Sequence, residues 1–482
     1  MRSKFNLSHF RMDTANMGQL IPLGMPIPVL PGDMIGAHTD ALIRVTPLAF
    51  PVMHKVDVRI HHFYMANRNI WPGDESDSSW EAFITGGTDG MNTDTIPTIN
   101  TTGTAKDLFD RLGIPPGAGA GIAVNSMPIT MYNAIFNLFY RDQDLQTERT
   151  ASDVTIANCC WEKDYFSTAR PWASKGPQLS IPVGDSADVV YDNHLSGDDF
   201  TVYDRDNSAW RELATSGAIL EQTNNTGAES NKLFVDLANA SGADPLDVRR
   251  VWGLQRWAEN AARYGNRYPE KMRQLGSHYR GLQDRPIYLG GGSTPLNFSE
   301  VLQTAEGSTA NEGVGDMYGH GIAAMRTKRF AYMCPEHGYI MSLLSVRPKA
   351  LYMDGVHREM LKTDREDFHD PYLEFIGQQP VWNGEVALEA TGNQDTWGYS
   401  DKDDEYRRHF SSVGGEFRNT LDYAHLARDF SNTVPTLNGD FVKCDPSKRI
   451  FQEQTNDSLW IMAQAKVTAK RNVTSNPTAR LL

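Results

Sequence analysis

At 482 residues the chain is long enough to bury a large core, and 40% hydrophobic with 22% charged residues is the balance of a folded protein, not a disordered one. A net charge of −14 excludes a protein that coats nucleic acid with its whole surface. No apolar run approaches the roughly 20 residues needed to span a bilayer, and the opening MRSKFNLSHFRMD lacks the apolar stretch of a secretory signal.

Arg2, Lys4 and Arg11 precede the first acid, Asp13, in a proline-rich segment that reads as an extended N-terminal arm over residues 1–35. Residues 54–65 then alternate, with Val56, Val58, Ile60, His62 and Tyr64 on one face and Asp57, Arg59 and His61 on the other, as in a strand. That alternation sends His61 and His62 to opposite faces and excludes a shared metal ion. Residues 85–122 are loop-rich, with TGGTDG and GAGAG. The GAGAG run precedes a β-like stretch, the reverse of the strand–loop–helix order of a phosphate cradle. Tyr132, Ile135, Phe136 and Phe139 fall on one face of a helix predicted over residues 128–142. Cys159 and Cys160 are adjacent and no CxxC pair exists. With Cys334 and Cys444 they read as buried free thiols of a reducing compartment.

Residues 163–184, KDYFSTARPWASKGPQLSIPVG, gather Tyr165, Phe166 and Trp172 with Pro171, Pro177 and Pro182 and show no periodicity. Proline fixes φ and donates no hydrogen bond, so this is neither an interior strand nor a regular helix. Its aromatics are costly to leave in water, so an ordered loop pinned on apolar surface is expected. That surface is either its own domain or another subunit. Under the second reading Tyr165, Phe166, Pro171, Trp172 and Pro177 are candidate interface residues.

Residues 184–231 are polar and rich in Asp, Asn, Ser and Gly, a candidate surface insertion. A second helix is predicted over 244–264, with Asp244 as cap, Pro245 in its first turn and Gly265 at its stop. GVGDMYGHG (313–321) misses the GxGxxG spacing and is expected to adjoin no strand. Glu336-His337-Gly338 lacks the second histidine of HExxH and reads as a turn. Residues 339–346 and 350–353 are apolar runs suited to sandwich-core strands. Asp401, Asp403, Asp404 and Glu405 lack EF-hand spacing and read as a solvated loop paired with Arg407 and Arg408. Residues 458–473 alternate again, with Leu459, Ile461, Ala463, Ala465, Val467 and Ala469 on one side. Lys466, Lys470, Arg471 and Arg480 follow the last acid, Asp457, and define a basic C-terminal tail over 466–482. Strands near both ends suggest a barrel closed by its termini. No nucleophile, base and orienter come together, so no catalytic residue, metal ligand or cofactor is assigned and an enzyme is not expected.

Several blocks agree in order along nearly the whole chain: LPGD (30–33), DVRIHHFYMANRNIW (57–71), WEAFITGG (80–87), YNAIFNLFYRDQ (132–143) and the DYF…PW…KGP run. LQRWAENAARYGNRYPE (254–270), RPIYLGGG (285–292), SEVLQT (299–304), EHGYIMSLLSVRPKALYMDG (336–355), IGQQPVWNGEV (376–386) and WGYSDKDDEYRR (397–408) follow. Their collinearity resembles the major capsid proteins of microviruses (Microviridae), most closely the gokushovirus-like branch. The resemblance implies a mainly β fold, a single eight-stranded antiparallel viral jelly roll (a β-sandwich or barrel) over residues 1–482 with long loop insertions and a few helices. It implies about 60 copies in a T = 1 icosahedral shell enclosing the single-stranded DNA of a bacteriophage. It also implies a small basic DNA-binding protein, a scaffolding protein, a pilot protein and a host surface receptor as partners, with assembly in the host bacterial cytoplasm and no membrane insertion. Residues 184–231, with the loop-rich 85–122 as the second candidate, would form an outward protrusion. Arg2, Lys4, Arg11, Lys466, Lys470, Arg471 and Arg480 would face the packaged DNA. The competing readings are a jelly-roll receptor- or carbohydrate-binding protein that forms no shell, and a cupin-type metal enzyme, which would need a close histidine–carboxylate cluster.

Overall fold

Period-two alternation builds several of the long strands of the protein, for which a computed structural model describes residues 3–72, 78–85, 94–176, 285–304 and 314–474, with short stretches between 201 and 263. Eleven strands form the main sheet: β1 (Ser3–Asn6), β2 (His9–Ala15), β3 (Leu20–Pro22), β4 (Ile27–Val29), β5 (Met34–Val45), β6 (Val56–Ala66), β7 (Ile287–Leu302), β8 (Met317–Arg326), β9 (Phe330–Met333), β10 (Gly338–Pro348) and β11 (Leu459–Arg471). All pair antiparallel, in the path β1-β11-β5-β8-β7-β6-β10-β3, with β2 also on β11, β9 on β5 and β4 on β10.

The long strand β7 changes partners along its length. Residues 297–302 pair with β8 and residues 287–296 with β6, so the path folds into two layers. Ile43 and Val45 of β5 and Ile461 and Ala463 of β11 share one core with Val58 and Ile60 of β6 and Leu344 and Val346 of β10. The fold is therefore mainly β and antiparallel. The path does not close into the expected barrel: among the described residues no pairing joins β1 to β3. Its end strands are instead only four and three residues long, which leaves little edge to expose.

β6 is buried on both faces, which a strict alternation does not announce. Phe63 and Met65 pack against α1 (Met127–Ile135) in a second core that includes Leu20, Leu108 and Tyr132. The buried Tyr132 hydroxyl donates to Leu20 O at 2.8 Å and accepts from Ala157 N–H at 3.0 Å, so its polar atom is satisfied. Residues 108–125 join this core through Leu108, Phe109 and Leu112. α1 runs into a π-turn, Phe136–Tyr140, closed by Arg141 N–H on Phe136 O. The extra residue gives Tyr140 the buried position expected of Phe139, which turns outward.

Residues 313–321 depart from expectation, since Met317 onward is strand β8. Residues 350–353 form no strand, only the bridges of Tyr352 to Ser412 and Arg428. Contacts divide the chain into two compact units, Met1–Ala173 with Tyr268–Leu482, and Ser174–Arg267. The second contains a three-stranded antiparallel sheet ordered Ile219–Gln222, Ala209–Ser216, Thr201–Asp204. Most of the candidate insertion 184–231 and of the helix predicted over 244–264 lies outside the described residues.

Candidate assembly surface

A side-chain-capped turn sets the 163–184 segment. Asp164 Oδ1 accepts from Ser167 N–H at 2.8 Å, and Ser167 Oγ accepts from Asp164 N–H at 2.7 Å. The turn drives Tyr165 and Phe166 inward, to 2% and 0% exposure. Phe166 lies 4.7 Å from the Tyr352 ring and 4.9 Å from Phe410, in a core with Trp161, Trp397 and Phe441. The Tyr165 hydroxyl donates to Glu385 Oε2 at 2.7 Å. Glu385 is fully buried, and its Oε1 accepts from Arg358 Nη1 at 2.9 Å and from Trp382 N–H at 2.9 Å. Burial pushes both the Tyr165 hydroxyl and the Glu385 carboxyl up from their ordinary values, and Arg358 opposes that rise at Glu385.

The acidic run is part of the same interior and corrects the solvated loop expected there. Asp403, Asp404 and Glu405 are all buried. Glu405 accepts from Gln379 Nε2 at 2.7 Å and pairs with Lys362 at 3.3 Å, while Asp403 meets His369 at 2.6 Å. Buried carboxylates need such partners, which the distant 358–379 segment supplies. Of the expected partners, Arg408 does pair with Asp404, at 3.6 Å.

Tyr165 and Phe166 thus pack inside their own subunit and have no surface to offer another, a correction to their candidate interface role. Pro171 is exposed and Trp172 half-buried, its indole nitrogen enclosed without an acceptor among the described residues. Pro177 lies outside the described residues, as do Arg2 and Arg480. Lys4 and Lys470 are exposed and face each other directly across β1 and β11. Arg11 donates to Asp110 O at 3.0 Å, Lys466 to Asp40 at 2.8 Å, and Arg471 to Asp33 at 3.0 Å and Pro28 O at 3.1 Å. These three bases are engaged by their own fold. Lys466, Lys470 and Arg471 belong to strand β11 and not to a tail. All four cysteines are free and three are buried; burial pushes the Cys159 and Cys334 thiols up to about 12.

Two exposed aromatic surfaces escaped the sequence. The first is a groove. Phe139, 45% exposed, and Tyr288, 50% exposed, stand over Phe63 at ring distances of 4.8 and 5.6 Å. The π-turn presents Phe139, and a β-bulge between Tyr288 and Gly290 (φ 131°) presents Tyr288. Arg59, Lys163 and Arg347 line the same groove. Burial lowers His61, which meets the Tyr140 hydroxyl at 2.7 Å, to about 4, so it is neutral there.

The second surface is the loop of short 3-10 turns Arg358–Met360, Arg365–Asp367 and Glu374–Ile376. Tyr372 and Phe375 on it are 89% and 88% exposed. Asp367 accepts from Asp364 N–H at 3.0 Å and Asp370 from Tyr372 N–H at 2.8 Å, so the loop is internally braced. Nothing in the sequence marks a π-turn, but DPYLEF, two aromatics among acids beside a proline, was a readable sign of the loop.

Among the described residues no cluster of three histidine, cysteine or carboxylate side chains could hold a metal, and no helix is long and apolar enough to cross a membrane. A family model described as "Capsid protein (F protein)" matches residues 1–479. The chain is 28% identical over 481 residues to capsid protein VP1 of Bdellovibrio phage phiMH2K, covering 92% of this chain and 88% of that protein. It is 28% identical over 542 residues to capsid protein VP1 of Chlamydia phage 1, with 92% and 89% covered. To capsid protein VP1 of Spiroplasma virus 4 it is 27% identical over 500 residues, with 92% and 88% covered.

Proposed function

Because the chain belongs to the capsid protein (F protein) family, its role is structural, and we propose that it self-assembles, in about 60 copies, into a T = 1 icosahedral shell around the single-stranded DNA of a bacteriophage. The observation that carries this reading is the match of the family across residues 1–479. The physical work is association, with no catalysis. We read the two antiparallel layers as an eight-stranded viral jelly roll, some of whose strands come from the extended arm 1–35, and residues 184–231 as its outward protrusion.

The protein resides in the virion and is assembled in the host cytoplasm. Lys4 and Lys470 face the genome, supported by Arg2 and Arg480 at the two ends. With a net charge of −14 per copy, the body cannot neutralise packaged DNA by itself, so a small basic DNA-binding protein shares that task. Scaffolding and pilot proteins assist assembly and delivery, and a host surface receptor meets the outside. Pro171 and Trp172 remain the part of the 163–184 segment with surface for a neighbouring copy. Mass measurement of the expressed protein tests the reading. A megadalton particle is expected; a stable monomer or trimer that binds a glycan would instead make it a jelly-roll receptor- or carbohydrate-binding protein.

A further inference from the structure

Resting on the shell reading, we propose that the aromatic loop at residues 364–376 docks into the groove of a neighbouring copy, with Tyr372 and Phe375 packing against Phe139 and Tyr288. Two aromatic side chains nearly nine-tenths exposed within four residues hold apolar area in water, and burying it on docking is favourable. The loop that carries them is braced by its own carboxylates, so it loses little freedom on docking. The groove carries the complementary half: two aromatic rings half exposed above a buried third.

Charge selects the same partner. Residues 364–376 contain five carboxylates and one arginine. The groove is lined by Arg59, Lys163 and Arg347 beside a neutral His61. Its carboxylates Glu162 and Asp142 already hold Arg59 and Lys163 respectively, a mixed lining that suits a loop carrying Arg365 among its acids better than a bare phosphate backbone. Loop and groove are different patches of one chain. Every copy therefore acts once as donor and once as acceptor, and in a closed shell a rotation axis, two-fold or higher, relates the contacts.

Co-expression of Phe375→Cys and Tyr288→Cys subunits, both carrying Cys160→Ser because Cys160 lines the groove, followed by a short bismaleimide, tests the contact. A cross-linked dimer is expected from particles of the mixture and from neither variant alone. A Tyr372→Ser/Phe375→Ser variant, changed only at exposed positions, should keep the unfolding midpoint of the subunit and lose at least tenfold in particle yield. Particles at normal yield from that variant, or a mixture without cross-links, overturn the docking and leave the shell reading standing. If the unsubstituted chain forms no particle, the shell reading fails and the docking with it. A deoxythymidine oligonucleotide that shields Tyr288→Cys from maleimide in the free subunit would assign the groove to nucleic acid and overturn the proposal.

Discussion

The Tyr165 hydroxyl donates to Glu385 at 2.7 Å, joining positions 220 residues apart inside the core around Phe166. Tyr165→Phe removes one hydrogen bond from a buried carboxylate and should cost about 1–3 kcal/mol. Phe166→Ala, which opens a cavity beneath Tyr352 and Phe410, should cost about 3–5 kcal/mol. Urea unfolding of the soluble subunit measures both. An unchanged midpoint for Phe166→Ala would show that this segment does not hold its own fold together.

Trp172 is the complementary case, half-buried where Tyr165 and Phe166 are enclosed. Trp172→Ala should change subunit stability by less than about 1 kcal/mol while reducing particle yield severalfold. Sedimentation separates the two effects. A subunit that unfolds instead would place the indole in the core and remove it from the interface.

Three desolvated imidazoles, His54 and His62 buried and His61 half-buried, set an acid limit. Burial lowers His54, His61 and His62 from 6.5 to about 4, with neighbouring charges adding to the shift. The unfolded chain takes up these protons near pH 6.5, while the folded chain refuses them until about pH 4. Stability is therefore complete above pH 7 and falls as the pH drops through that window. Between pH 6.5 and 5, where ordinary carboxylates stay ionised, His54 and His62 should each cost roughly 2 kcal/mol. A melting temperature flat across this range would show that the imidazoles are not held neutral.

Lys4 and Lys470 face each other across two strands, a like-charge pair that opposes folding. Lys470→Gln should raise subunit stability by about 0.2–1 kcal/mol. If the pair serves the genome, the same variant should package less DNA, read as absorbance at 260 nm per particle. Equal DNA content would retire the pair from that role.

Gly18 ties the N-terminal strands to the C-terminal segment: its φ is 87°, and a Cβ there would lie 2.1 Å from Cys444 O. Gly18→Ala combines backbone strain with a backbone clash and should cost more than about 3 kcal/mol. Soluble expression and a thermal melt check this; a midpoint close to the parent's would mean the two segments separate freely.

The strands were legible wherever one face is buried: residues 54–65 and 458–473 were read to within two residues of β6 and β11. Legibility failed where backbone and side chains answer to distant partners. Ala350 and Tyr352 are apolar because they fill the core around Phe166, not because they pair in a ladder. Asp403 to Glu405 look solvated until Gln379, Lys362 and His369 arrive from elsewhere in the chain. Phe139 obeys helical spacing, and one inserted residue turns it out. The assembly surface was hardest to read because a loop's composition does not say which of its rings face inward.

The position of β11 bears on when this protein can fold at all. Ile461 stands between Asp13 of β2 and Ile43 of β5, so residues near the end of the chain fill the middle of a layer begun by its first strands. While the chain is being translated, β1, β2 and β5 wait with open edges until more than four hundred further residues have been made. Pairings of such long sequence separation form slowly, and waiting edges invite association with other nascent chains. A chain cut short before β11 lacks the strand with which β1, β2 and β5 all pair, and cannot complete that layer.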